Sequence, residues 1–421
     1  MQSQVLIITY YWPPSSGAGV QRWLKFSKFL PENGWDPVIL TIDPEYATYP
    51  ATDDSLCSEI SKELKVHRTK ATDYFRFYKK DKSKIPSAGF ATDGKKNLVG
   101  KILRFVRGNF FIPDPRRGWN KFAFKEACRL IETEGIKHII TTSPPHSTQL
   151  IGLKLKKRYP EIKWIADLRD PWTDIYYYDQ FYHTRIAKSI DRHFEKEVLI
   201  NADRIITVGN SLRDIFTSKC PVIKDKIEII TNGYDEDDFK NQVTVTPEIF
   251  TISYIGTLSD AYPVSGFINS IRNLSVKDYK IKLKFVGSLS PGQKELILSG
   301  TGNSAVEFIP HVDHNDAIKY MMESSVLLLI IPNHRSNRSI ITGKLFEYLA
   351  TGKPVLCIGP GDGDAAVILS ETMHGRCAGY TDIQKISSII EEYYKCNYLP
   401  NKYPVEKYSR RSLTTRLARV F

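Results

Sequence analysis

The stretch "SIITGKLFEYLATGKPVLCIG" (339–359) brings together a helix start at Gly343, a lysine at 344 and a glutamate at 347. Free N–H groups and the positive end of a helix favour an anion, and Lys344 adds a full charge. Arg335 and Arg338 precede it in "PNHRSNRSIITG". The set suits a diphosphate, and Glu347, one turn further, can accept hydrogen bonds from the two hydroxyls of a ribose. The competing explanation is a Lys344–Glu347 surface pair worth roughly 0.2–0.5 kcal/mol.

Other chemistry-bearing residues also follow apolar runs. In "TYYWPPSSGAGV" (9–20), Gly17 and Gly19 sit where a helix begins, leaving backbone open to an anion. In "TTSPPHSTQL" (141–150), His146 stands between a strand and a helix, with a near-neutral pKa suited to a sugar or phosphate. "IADLRDPWTD" (165–174) clusters Asp167, Arg169, Asp170 and Asp174. Such a cluster is costly unless it pairs with a ligand or with itself as an internal network. Trp172 and Tyr176–Tyr178 offer flat surfaces for sugar rings, or core packing. Gly256 ends "YIG" and Gly287 ends "FVG"; the pair Asp362 and Asp364 is too few for a metal site and suits a helix cap.

These positions need a frame, and the periodicity supplies one. Apolar runs at 5–10, 37–42, 138–142, 163–168, 203–208 and 226–231 alternate with helical patterns. After a polar lapse at 232–248 the series restarts at 250–256, 280–287, 306–310, 325–331 and 354–359. The alternation predicts an α/β chain of two tandem Rossmann-like, doubly wound domains, with ligands at the carboxyl ends of the strands, in a cleft between the domains. The expected limits are 1–240, 241–402 and a last helix in 403–421 with Leu413, Leu417 and Val420 on one face.

A chain of 421 residues suits two cores rather than one. Its six cysteines show no CxxC spacing, against a disulfide framework or zinc site and in favour of a reducing cytoplasm. No apolar run reaches membrane-spanning length, and the N-terminus reads as a strand rather than a signal peptide. Charge is uneven: Lys62 to Arg129 holds 19 Lys and Arg against 6 Asp and Glu, which accounts for the whole net charge of +12. Aromatics interleave it, as in "KILRFVRGNFFIPDPRR", so a basic insertion near 62–129 would suit an anionic membrane, lipid-linked phosphate or nucleic acid, or be a solvated excursion.

The ordered set "PPSSGAG", "SPPHS", "ADLRDPW", "NADRIITVGNSL", "ITNGYDEDDF", "YIGTL" and "TGKLFEYLATGKPV" resembles the family 4 glycosyltransferases across almost the whole chain. The resemblance implies a GT-B fold with its two domains facing across a cleft. It also implies retaining, metal-independent transfer from a nucleoside-diphosphate sugar of UDP or GDP type, without a cofactor, and a last helix returning to the N-terminal domain. By residue it implies that Glu347 holds the donor ribose, that Gly17 and Gly19 lie near the donor phosphates, and that His146 lies beside the transferred sugar. Two departures stand out. Ser339 occupies the place of the family's first glutamate, and Thr257 follows Gly256 where a basic residue is usual. Arg335, Arg338 and Lys344, with Gly256 and Gly343, are then expected to hold the donor, His146 and Glu347 to serve catalysis, and Asp167, Arg169, Asp170 and Trp172 to line the acceptor side. The expected acceptor is a glycan or lipid-linked sugar in cell-surface polysaccharide assembly, at the inner face of the cell membrane. A nucleotide-sugar epimerase of the same fold and a nucleic-acid-binding protein are the alternatives.

Overall fold

A computed structural model describes residues 3–72, 98–240, 243, 245–302, 304–396 and 405–421. The chain forms two compact units: Met1–Thr231 with Arg410–Phe421, and Asn232–Ser409. The division falls at 231/232, ahead of the 240/241 break expected from composition. The polar stretch after 231 already belongs to the second unit, where Tyr234 N–H donates to the Tyr408 carbonyl and Phe239 packs on the core.

In the first unit β1 (Ser3–Ile8), β2 (Trp35–Ile42), β3 (Lys65–Thr69), β4 (His138–Ser143), β5 (Lys163–Leu168), β6 (Arg204–Thr207) and β7 (Ile227–Ile229) form one sheet in the order β3-β2-β1-β4-β5-β6-β7. Every neighbouring pair is parallel. Side chains alternate across a strand, and β1 divides accordingly. Leu6 and Ile8 join Trp119, Ile139 and Leu168 on one face, while Val5 and Ile7 join Trp23, Phe26, Leu413 and Leu417 on the other. The final helix, Arg410–Ala418, thus buries its leucines in the first unit's core, each worth roughly 2 kcal/mol.

The second unit repeats the plan with β8 (Phe250–Ile255), β9 (Ile281–Val286), β10 (Ala305–Ile309), β11 (Val326–Ile330), β12 (Val355–Ile358) and β13 (Gly375–Ala378), ordered β10-β9-β8-β11-β12-β13 and again all parallel. Both units are Rossmann-like. The strand order reverses between β1 and β4 and between β8 and β11, the places where open parallel sheets leave a ligand crevice at the carboxyl ends.

Two strands escaped the periodicity. The edge strands β3 ("KVHRT") and β13 ("GRCA") lack the apolar run that marks a strand buried on both faces. β3 also corrects the view of 62–129 as an insertion. The segment starts inside the sheet and ends in the helix Asn120–Glu134, which buries Ala123, Ala127 and Leu130. Its middle, 73–97, including "DYFRFYKKDKSK", lies outside the described residues. No described helix is long and apolar enough to cross a membrane.

Candidate functional site

In the first unit the residues singled out in the sequence gather after β1, β4 and β5, but they do different work. Asp167 is fully buried and accepts from Arg22 at 3.0 and 3.3 Å, from the Trp23 indole at 2.8 Å and from the Thr142 hydroxyl at 2.8 Å. Arg22 also donates to the Thr231 carbonyl at 2.7 Å. This corrects the acceptor-side assignment: Asp167 ties the helix Ala18–Phe29 to β4 and β5, and the internal-network alternative holds for it. Trp172 is likewise interior, stacked on His146 and donating to Asp191 at 2.8 Å. Burial raises the Asp191 carboxyl to about 6.

Arg169 donates to the Ser143 carbonyl at 2.9 Å and lies over Gly19, where a Cβ would stand 2.6 Å from its guanidinium. Gly19 thus leaves room for the Arg169 guanidinium, which a side chain there would push aside. Gly17 is required for another reason, its φ of +107°, and a Cβ there would meet nothing within 4 Å. It precedes the helix with no side-chain cap, leaving the first amides open. Asp170 is half-buried; burial raises its carboxyl, Arg169 pulls it back and Asp167 adds to the rise.

His146 follows β4, its ring parallel to Trp172 at 4.9 Å. Both ring nitrogens are buried without a hydrogen-bond partner. Burial, then the cations Lys219 and Arg169, lower it to about 3, which corrects the near-neutral value expected from its type. It is a neutral imidazole at physiological pH, with one donor and one acceptor uncommitted.

In the second unit, Lys344 occupies the first turn of the helix Gly343–Ala350. It forms no ion pair with Glu347; its ammonium lies 4.1 Å from the centre of the Tyr254 ring. Burial lowers it to about 8, with Glu347 pulling it back up. Gly256, at φ +123°, makes room: a Cβ there would come within 2.8 Å of Nζ. Gly287 packs on Gly256 in turn, where a Cβ would lie 2.4 Å from the Gly256 carbonyl oxygen. Thr342 precedes the helix without capping it, its hydroxyl buried and unpartnered.

The remaining donor-side residues are placed differently. Arg338 is exposed and pairs with Asp362 at 2.8 Å, and Arg335 is exposed. Ser339 is buried, its hydroxyl donating to the Ser336 carbonyl at 2.9 Å, so it closes a turn where an acid was expected. Gly363 rather than either aspartate caps the helix Asp364–Thr372. Sequence reasoning missed Tyr254, Thr342 and Tyr348, whose hydroxyl accepts from the Ile255 N–H at 3.1 Å. All three sit on core-type patterns that carry no signal of a site. An open depression lined by Ser3, Asp36, Lys137 and His138 lies at the opposite, N-terminal strand ends and holds none of these groups.

Residues 86–238 match the Glycosyltransferase Family 4 model. No curated protein matches the chain by sequence. Among solved structures, it is similar to a glycosyltransferase from Rickettsia africae ESF-5 (TM-score 0.62, 14% identity, 99% of this chain and 96% of that one). It is also similar to an S. aureus TarM variant in complex with fondaparinux, alpha-GlcNAc-glycerol and UDP (0.61, 11%, 100% and 99%). A third is a UDP-N-acetylglucosamine 2-epimerase (0.53, 14%, 99% and 96%). The family 4 match is confined to residues 86–238; with it set on this pair of Rossmann-like units, the chain is a glycosyltransferase.

Proposed function

We propose that the chain is a retaining glycosyltransferase that moves a sugar from a UDP- or GDP-linked donor to a glycan or lipid-linked acceptor in cell-surface polysaccharide assembly. The observation that carries this is Lys344: a buried ammonium in no ion pair among the described residues, on the first turn of a helix, with Glu347 one turn on. A diphosphate would meet Lys344, the open Thr342 hydroxyl and the helix amides, and Glu347 would take the ribose. The UDP bound in the TarM structure supports a nucleotide donor.

As the bond to the leaving phosphate breaks, fixed N–H groups and Lys344 stabilise the growing charge, without recourse to a metal. Undiminished transfer in EDTA tests that. We take attack to occur on the face the nucleotide leaves, the donor phosphate receiving the acceptor proton and neutral His146 hydrogen-bonding the sugar; a trapped glycosyl-enzyme adduct would refute this. The helix Leu98–Phe110 supports a peripheral place on an anionic membrane, since Ile102, Leu103, Phe105 and Phe110 are exposed beside Lys101 and Arg104.

Calorimetric titration with UDP, GDP, ADP and CMP, repeated on Glu347→Ala, tests the donor assignment. One nucleotide should bind, and bind more weakly to the variant; no binding by any removes it. The epimerase similarity gives the second reading, and sugar found linked to an acceptor excludes it.

A further inference from the structure

A buried arginine normally has a partner, because its charge cannot be shed. Arg22 obeys this, with Asp167 and the Thr231 carbonyl around it. Arg116 does not. It lies in the short helical turn Pro115–Trp119 with 9% of its surface exposed, and its Nε is buried without a hydrogen bond. Among the described residues its guanidinium has no carboxylate within ion-pair distance and no hydrogen-bond acceptor. The nearest acid, Asp114, is turned away: one carboxylate oxygen accepts from the Arg116 backbone N–H at 2.9 Å and the Ser147 hydroxyl at 2.8 Å, the other from the Ser147 N–H at 2.8 Å.

A second guanidinium lies within electrostatic reach. Arg107, on the helix Leu98–Phe110, sits 4.3 Å from the centre of the Phe181 ring and also has no acid partner among the described residues. Burial and then Arg116 lower it to about 10, with Tyr177, Asp114 and Tyr11 acting in the opposite sense. Tyr11, Tyr10, Asp114 and Tyr177 act electrostatically on Arg116 against the cost of its burial. The Tyr10 hydroxyl is taken up by Thr48, while Tyr11 and Tyr177 have no hydrogen-bond partner for theirs among the described residues. The geometry groups them: the Tyr10 ring lies 5.2 Å from Tyr11 and 5.7 Å from Trp119 in the Arg116 turn, the Tyr177 ring lies 6.0 Å from the Phe181 ring under Arg107, and Asp114 ties the Arg116 turn to Ser147, next to His146.

We infer that Arg116 and Arg107 form an anion site in the first unit that takes a phosphate or diphosphate group of the acceptor. Guanidinium forks match phosphate oxygens in pairs, and two of them with phenol donors balance a doubly charged group. The inference rests on the proposed transferase function and assigns the acceptor its chemical class; the source of the phosphate, a lipid headgroup or a water-soluble ester, is left to the test.

The full chain carrying Lys344→Ala, which removes the proposed donor cation, is titrated with inorganic pyrophosphate alone and with Arg116→Met or Arg107→Gln added. Either added substitution should weaken binding at least tenfold, and circular dichroism confirms that each chain is folded. Arg107→Gln, on a half-buried helix position, keeps the test open if Arg116→Met does not fold. Pyrophosphate binding unaltered by Arg107→Gln and by any folded Arg116 variant overturns the site. UDP titration of the Arg116→Met chain with Lys344 intact separates the two claims: unchanged UDP affinity with lost pyrophosphate binding supports a distinct acceptor site, whereas equal loss of both makes this the donor site and overturns the inference. Vesicles of phosphatidylglycerol in phosphatidylcholine identify the source. Arg116-dependent binding that pyrophosphate displaces marks a lipid phosphate, and pyrophosphate binding without vesicle binding marks a soluble one.

Discussion

If Lys344 is the cation that meets the donor diphosphate, nucleotide affinity must fall as pH rises through its pKa. Burial brings the ammonium to about 8 in the free protein, against an ordinary 10.5. The sign follows from linkage: a bound diphosphate favours the charged amine, so below about pH 8 the lysine is already protonated and affinity is full. Above it, binding must recruit a proton. From about pH 7 to about pH 9 the charged fraction of the free amine drops about tenfold, so Kd should rise about tenfold, or roughly 1.4 kcal/mol. The last ionisation of the terminal phosphate lies at about pH 6, so it is nearly complete across that window and its own titration contributes little. Calorimetry at pH 8.5 in two buffers of different ionisation enthalpy should show uptake of a large fraction of a proton on binding. Lys344→Met should bind weakly with a flat profile. A flat profile in the native chain, with no proton uptake, would refute the assignment of Lys344 to the phosphates.

Three further outcomes are expected. Glu347→Gln should weaken binding of the nucleoside diphosphate by about 1 kcal/mol and that of inorganic pyrophosphate by less, because the carboxylate is assigned to the ribose and touches the phosphates only through its pull on Lys344; parallel titrations measure both. Gly256→Ala forces a side chain into φ +123° and within 2.8 Å of the Lys344 ammonium, so stability to urea should fall by about 1–3 kcal/mol and nucleotide affinity with it. Asp167→Ala leaves the Arg22 guanidinium buried and unpaired, and should cost about 3–5 kcal/mol in urea denaturation, a loss that Asp167→Ala with Arg22→Met should partly recover.

The sheet frame was legible because central parallel strands are buried on both faces and must be apolar runs. β3 and β13 were illegible because an edge strand escapes that demand. At the site, residue type and position told less than pairing. Asp167 and Asp170 look alike in "ADLRDPW", yet one is spent entirely on Arg22, Trp23 and Thr142, while the other has no hydrogen-bond partner among the described residues. Only the fold decides this, since Arg22 comes from a helix 145 residues away in sequence.

The glycines carry the same lesson further. Gly19 and Gly256 each follow a strand next to the reversal of strand order, and sequence offers both as places where a ligand approaches the backbone. In the structure each lies under a cation, Arg169 at 2.6 Å and Lys344 at 2.8 Å from where a Cβ would stand. The missing side chain first gives room to a charged group, and the case for a ligand then turns on whether that group is otherwise neutralised. Arg169 has the Ser143 carbonyl at 2.9 Å and Asp167 at 3.9 Å, whereas Lys344 has a tyrosine ring and no acid in ion-pair reach among the described residues. Of two similar loops, only the second unit's holds its cation in no ion pair among the described residues at an uncapped helix start, and the proposed place of the diphosphate there rests on that difference in pairing more than on the glycine pattern.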